Sequence, residues 1–219
     1  MSSPLQYLVR DPKIPIQNPP LLLLLHGVGS NERDLFALAD VLPESFLVIS
    51  VRGPLTLGRD RFGWYEISFN NGIPKIDLSQ QEKSHQLLLQ FLAHLHEEFS
   101  FDETNVWIGG FSQGAVMSYS VGLEHPEEIK GILAMSGRLL EETKQKVNAN
   151  RNSKDLVKQQ KIYISHGTGD NVIPVTAARS AKEYLESTGL NPHYEEYTDG
   201  HTINQAMLND LVDWLEKEL

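Results

Sequence analysis

A chain of 219 residues with 40% hydrophobic and 22% charged residues is rich enough in apolar side chains for a well-filled core, and we expect one α/β domain over residues 1–219. Its formal charge of −10 argues against a nucleic-acid partner, because no lysine/arginine stripe offsets that repulsion from phosphates. The lack of cysteine excludes a disulfide framework, a thiolate nucleophile and a cysteine-held zinc.

The N-terminal stretch MSSPLQYLVRDPKIPIQNPP lacks the basic start, apolar core and small-residue cleavage site of a secretory signal. Leu5–Val9 is a candidate edge strand. Leu21–Leu25 is wholly apolar, bounded by Pro19-Pro20 and His26-Gly27, and has the length of a buried strand rather than of a membrane span. We therefore expect a soluble, cytoplasmic protein without stable membrane insertion. Phe46–Val51, Val106–Ile108, Ile129–Met135 and Ile162–Ser165 repeat the strand pattern, and His193–Tyr197 is a more polar sixth case.

Helices fall between these runs. Ser79-Gln80-Gln81-Glu82 has the capping-box pattern and opens a helix with Leu88, Leu92, Leu95 and Phe99 on one stripe and Phe91 beside them. Glu141–Gln160 is polar and predicts a surface helix. Val175–Ser187 places Ala178, Ala181 and Leu185 at helical spacing, with Gly189 as a left-handed stop. Thr202-Ile203-Asn204-Gln205 predicts a second capping box, opening a helix that buries Ile203, Met207, Leu211, Trp214 and Leu215. Arg52–Leu78, rich in glycine, proline and aromatics, has no period and predicts a binding loop. Continuous apolar strands separated by helices imply an α/β fold: a mostly parallel central sheet with helices on both faces.

Gly110-Phe111-Ser112-Gln113-Gly114 has the G-x-S-x-G form of a nucleophile elbow. A sharp turn from strand to helix crowds the residues two before and two after the serine, so both lack a Cβ. The turn lifts the hydroxyl above the carboxyl end of the sheet, at the positive end of a helix. The pentapeptide alone is often only a turn. Its position between the strand NVWIG and the helix AVMSYSVGLEH gives it meaning.

A serine hydroxyl needs a base, and the base needs an orienting acid. Of the eight histidines, His94 and His96 point to roughly opposite sides of a helix, and His85 on that helix is expected to be solvated. His125 stands at a helix end, His193 in a polar strand, and His26 and His166 before glycines where they orient loops. His201 differs: it follows Asp199-Gly200 near the C-terminus, the place of the base in the order Ser…Asp/Glu…His. Asp170, in SHGTGDNVIP just past a strand, is the candidate acid, with Asp199 as a rival too local to His201. The oxyanion donors expected are the backbone N–H of Gln113 and that of Val28, in the loop after LLLLL.

Six segments occur in order from about Leu24 to the C-terminus: LLHGVGSNERDL, RGPLTLG followed by FGWYEI, GFSQGA, AMSGRL, SHGTGDNVIPV and DGHTI. In these the chain resembles the phospholipase/carboxylesterase group of α/β-hydrolases, which includes acyl-protein thioesterases and small bacterial carboxylesterases. The resemblance implies the α/β-hydrolase fold, Ser112 as nucleophile, Asp170 and His201 as its partners, and Val28 and Gln113 as oxyanion donors. It implies no cofactor and no metal, a small-molecule ester or thioester as partner, and it is compatible with a homodimer. The loop with Phe62, Trp64 and Tyr65 looks like the family's substrate-groove loop. Leu55, Leu57, Phe62, Trp64, Ile73, Val172 and Ile173 are the expected acyl-pocket walls. Thr202 stands where the family often has an acid, and the N-terminal stretch matches poorly. The expected function is hydrolysis of carboxylic esters through an acyl-enzyme, with lysophospholipase or acyl-protein thioesterase as alternatives. A non-catalytic ligand-binding module on the same fold would be favoured by loss of one of the three side chains, and all three are present.

Overall fold

The computed structural model describes residues 2–70, 73–150 and 157–219. A seven-stranded sheet is built from β1 (Tyr7–Arg10), β2 (Leu21–Leu25), β3 (Leu47–Val51), β8 (Val106–Phe111), β9 (Gly131–Met135), β10 (Lys161–Gly167) and β11 (His193–Tyr197), in the order β1-β3-β2-β8-β9-β10-β11. Every pairing is parallel except that of β1 with β3, which is antiparallel. The poorly matching N-terminal stretch thus supplies an edge strand, Tyr7–Arg10, shifted by two residues from the expected start.

Strand alternation divides the five leucines of β2 between two cores. Leu21, Leu23 and Leu25 face a cluster with Leu88, Phe91 and Leu95 of α2 (Leu78–Glu98), Met117 of α3 (Gln113–Glu124) and Leu185 of α5 (Thr176–Ser187). Leu22 and Leu24 face Leu35 of α1 (Glu32–Phe36) and Leu211 and Leu215 of α6 (Gln205–Glu218). A strand buried on both faces needs no polar side, which is why its sequence shows no alternation. α4 (Glu141–Ala149) joins the first cluster through Val147. It occupies the front of the polar segment Glu141–Gln160, part of which lies outside the described residues.

Several boundaries move. The cap of α2 is Asp77, whose side chain accepts from the Gln80 N–H at 3.0 Å, so Ser79 lies inside the helix. The cap of α6 is Asn204 rather than Thr202: its Oδ1 accepts from the Met207 N–H at 2.7 Å, and its amide donates to Asp199. In both cases an Asx side chain two residues away satisfies a free helix N–H in place of the hydroxyl. Arg52–Leu78 is no featureless loop. It holds two antiparallel hairpins, β4 (Leu55–Gly58) with β5 (Arg61–Gly63) and β6 (Ile67–Asn70) with β7 (Ile73–Ile76). His85 is buried, not solvated, with Nδ1 at 2.8 Å from Ser120 Oγ across the α2–α3 contact.

Candidate active site

The junction of β8 and α3 carries Ser112 at φ 54°, ψ −115°, a backbone region that non-glycine residues enter only when their surroundings hold them there. Its N–H donates to Met135 O of β9 at 2.9 Å. The flanking glycines are a steric requirement. A Cβ on Gly110 would stand 2.3 Å from Gly114 C, and one on Gly114 would stand 1.9 Å from Leu25 O. The elbow is therefore packed backbone-on-backbone against both α3 and the end of β2.

Ser112 Oγ lies 2.8 Å from His201 Nε2, and His201 Nδ1 lies 2.6 Å from Asp170 Oδ2. The three side chains come from the loops after β8, β10 and β11, so three carboxyl ends of a parallel sheet bring them together. The Asp170 side chain is fully buried while His201 keeps a small open edge. Asp170 Oδ1 accepts from the N–H groups of Val172 (2.8 Å) and Ile173 (2.9 Å), which turns Oδ2 toward the imidazole. Burial by itself pushes the Asp170 pKa up. The hydrogen bonds from His201, Ile173 and Val172 outweigh it, and the carboxyl is held below its ordinary value, hence ionised. An anionic Asp170 fixes the proton of His201 on Nδ1 and leaves Nε2 free to accept from the serine. Asp199, the sequence's rival acid, is engaged by Asn204 instead.

His166, also buried, approaches the same carboxylate oxygen of Asp170 as His201. Its Nε2 is 2.8 Å from Ile173 O, which can only accept, so Nε2 carries the proton; the same nitrogen is 3.3 Å from Asp170 Oδ2. The sequence pointed to His166 as a loop-orienting histidine but gave no hint of its contact with Asp170.

Of the expected oxyanion donors, the Val28 N–H meets no acceptor among the described residues, and the Gln113 N–H is at the first position of α3, where helices leave donors unpaired. The glycine between β2 and Val28, Gly27, is close to the nucleophile: a Cβ there would be 3.5 Å from Ser112 Cβ. The sequence offered Gln113 only for its backbone. Its side chain makes two buried bonds, accepting from Trp64 N–H at 2.7 Å and donating to Tyr65 O at 2.8 Å.

The expected acyl-pocket residues separate into groups. Leu57 is partly exposed and, like Val28 and Gln113, lies close to Gly63. Val172, 67% exposed, and half-buried Ile173 lie beside Asp170 through their backbone. Leu55 and Phe62 are half-buried, and Phe62 carries the Arg52 guanidinium 4.4 Å above its ring. Trp64 has no exposed surface and donates its indole N–H to His26 O at 2.9 Å; it packs beneath the loop rather than forming an open wall. The Ile73 side chain lies outside the described residues. A cavity of about 630 Å³ is found elsewhere, at the amino ends of β10 and β11 by Lys161, His193 and Trp214. No three histidine or acidic side chains converge as a metal site among the described residues, and no helix there is long and apolar enough to cross a membrane.

A largely parallel sheet, helices on both faces and a strained serine at a strand–helix junction define the α/β-hydrolase fold. Residues 9–219 match the model of the phospholipase/carboxylesterase family, and the chain belongs to that family. It is 24% identical over 215 residues to acyl-protein thioesterase 1 of Kluyveromyces lactis, covering 91% of this chain and 92% of that protein. It is 31% identical over 121 residues to acyl-protein thioesterase 1 of Eremothecium gossypii, a match spanning 52% of this chain and 48% of the relative. Among solved structures it is similar to esterase PE8, with a TM-score of 0.80 and 27% identity over 98% of this chain and 99% of that one.

Proposed function

We propose that this chain is a serine carboxylesterase that works through an acyl-enzyme, with Ser112 as nucleophile, His201 as base and Asp170 as the orienting acid. The observation that carries the reading is the unbroken hydrogen-bonded series from Asp170 Oδ2 through His201 to Ser112 Oγ, at 2.6 and 2.8 Å. As Ser112 Oγ bonds to the acyl carbon, His201 Nε2 takes its proton, and the carbonyl oxygen becomes an oxyanion facing the Val28 and Gln113 N–H groups. The oxyanion collapses, the bond to the leaving oxygen or sulfur breaks, and His201 returns the proton to that atom. Water then attacks the acyl-enzyme, gives its proton to His201, and the acid leaves as the proton passes back to Ser112. Asp170 stays ionised throughout and stabilises the imidazolium.

The thioesterase names of the relatives favour a second reading, in which the bond cleaved is a thioester. The same groups serve either leaving atom. A fluorophosphonate probe should label the folded wild-type protein and leave Ser112→Ala unlabelled. Wild-type protein that neither reacts nor turns over p-nitrophenyl esters or acyl-thioesters of graded chain length would end both readings, and the relative rates across the two series choose between them.

A further inference from the structure

The two expected oxyanion donors belong to different loops, and nothing in the sequence says how their separation is set. One is on α3; the other is three residues past β2. The segment that bridges them is the end of β5 and the two residues after it. On one side, Phe62 holds the two residues after Val28: the Gly29 N–H donates to Phe62 O at 2.7 Å and the Phe62 N–H donates to Ser30 O at 2.8 Å. Trp64 reaches the other flank of the same loop through its indole N–H to His26 O. The His26 ring is fixed in turn. Its Nε2 accepts from the Gly53 N–H at 2.9 Å, so the proton is on Nδ1, which donates to Gly27 O at 2.7 Å. Burial lowers the pKa of this histidine, in keeping with a neutral ring.

What ties this bridge to α3 is the Gln113 carboxamide. It is buried, it accepts from one backbone N–H and donates to the next carbonyl, and it does so at both ends of the Trp64–Tyr65 unit. An ionised carboxylate only accepts, an apolar side chain does neither and a hydroxyl has a single oxygen for both, whereas the carboxamide presents an acceptor and a donor on two separate atoms at neutral charge. We infer that the Gln113 side chain is a positioning residue for the oxyanion hole. Its backbone supplies one donor, and its carboxamide holds the 62–65 segment that clamps the Val28 N–H at the matching distance. The inference rests on the serine-esterase reading and adds to it a reason for glutamine after the nucleophile.

The test uses the full chain. Gln113→Leu keeps the backbone N–H and removes both carboxamide bonds. Gln113→Glu keeps the length, and only its protonated form reproduces the acceptor-and-donor pattern. Loss of one whole oxyanion donor costs about 10²–10³ in kcat, so displacing one should lower the kcat of Gln113→Leu by roughly 10- to 100-fold with KM little changed. Affinity for a boronic acid, which forms a tetrahedral adduct on Ser112, should fall in parallel. The activity of Gln113→Glu relative to wild type at the same pH should rise as pH falls. A merely structural role would lower the unfolding midpoint without this selective loss of kcat and adduct affinity below it. Trp64→Phe, which removes the indole N–H together with part of the buried ring, should shift kcat and boronate affinity in the same sense, and Gln113→Glu with its pH dependence decides the matter if Gln113→Leu does not fold. Active wild-type protein together with unchanged kcat and boronate affinity in the folded variants overturns this inference alone. Inactive wild-type protein overturns the esterase reading beneath it.

Discussion

Asp170→Asn tests the site at the point where geometry and proton placement are most tightly coupled. In the wild-type structure Oδ1 accepts from two backbone N–H groups and Oδ2 accepts from His201 Nδ1–H at 2.6 Å. The two backbone donors oblige the substituted side chain to keep its oxygen at the Oδ1 position, so its NH₂ faces His201. An amide donor there requires Nδ1 to accept, which moves the imidazole proton to Nε2, the atom 2.8 Å from Ser112 Oγ. His201 then has no lone pair with which to take the serine proton. A wrong tautomer of this kind costs about 10⁴ in kcat, or about 5.4 kcal/mol in the barrier. Stability should change far less, by about 1–3 kcal/mol, because one charge-assisted bond is lost while the Oδ1 contacts remain. The assay is saturation kinetics on a p-nitrophenyl ester, with a urea melt to establish that the variant is folded. A folded Asp170→Asn protein with kcat within about tenfold of wild type would refute the assignment of roles. The same variant carries a pH signature. Folding lowers the Asp170 pKa, so the ionised carboxylate contributes stability above the unfolded-state value, and that contribution is lost as pH falls through the folded value. Asp170→Asn should flatten that part of the acid limb of stability against pH.

Ser112→Gly should abolish turnover yet raise stability by about 1 kcal/mol, since relief of about 1–3 kcal/mol of backbone strain exceeds the added flexibility of an unfolded glycine; an unchanged or lower urea midpoint contradicts it. Gly114→Ala should destabilise by about 3 kcal/mol, because its Cβ would meet the backbone of Leu25 at 1.9 Å with no flexible side chain to yield; a midpoint like that of wild type is the adverse result. Arg52 holds the buried Glu32 carboxylate by two bonds of 2.6 Å, which keep its pKa below the ordinary value. Arg52→Ala should cost about 2–3 kcal/mol near neutrality. The penalty should shrink as pH falls through the folded-state pKa of wild-type Glu32, where the pair's contribution is lost in any case; a pH-independent penalty speaks against the pair.

The strands were legible because burial on both faces leaves a local trace: an uninterrupted apolar run such as Leu21–Leu25 can hardly be anything but interior. Ser112 was legible for a similar reason, since a turn that excludes Cβ atoms writes its two glycines into five consecutive residues. The hairpins of Arg52–Leu78 were not: both are short, and β4–β5 is largely exposed and held by the Gly27–Ser30 loop, with the Gln113 carboxamide holding the two residues after it. His85 was misjudged because its place on α2 says nothing of the α3 serine across from it. Trp64 was assigned to a groove wall because aromatic character is visible in sequence while the direction of a side chain is not.

The chain by itself determined the alternation of strand and helix, the elbow and the order Ser112, Asp170, His201, because each follows from short-range sterics or from position along the polymer. Only the tertiary structure decided which acid reaches His201, where the imidazole proton sits and what clamps the Val28 and Gln113 N–H groups. Those outcomes depend on hydrogen bonds between residues up to 89 positions apart, and such distances close only when the sheet has assembled.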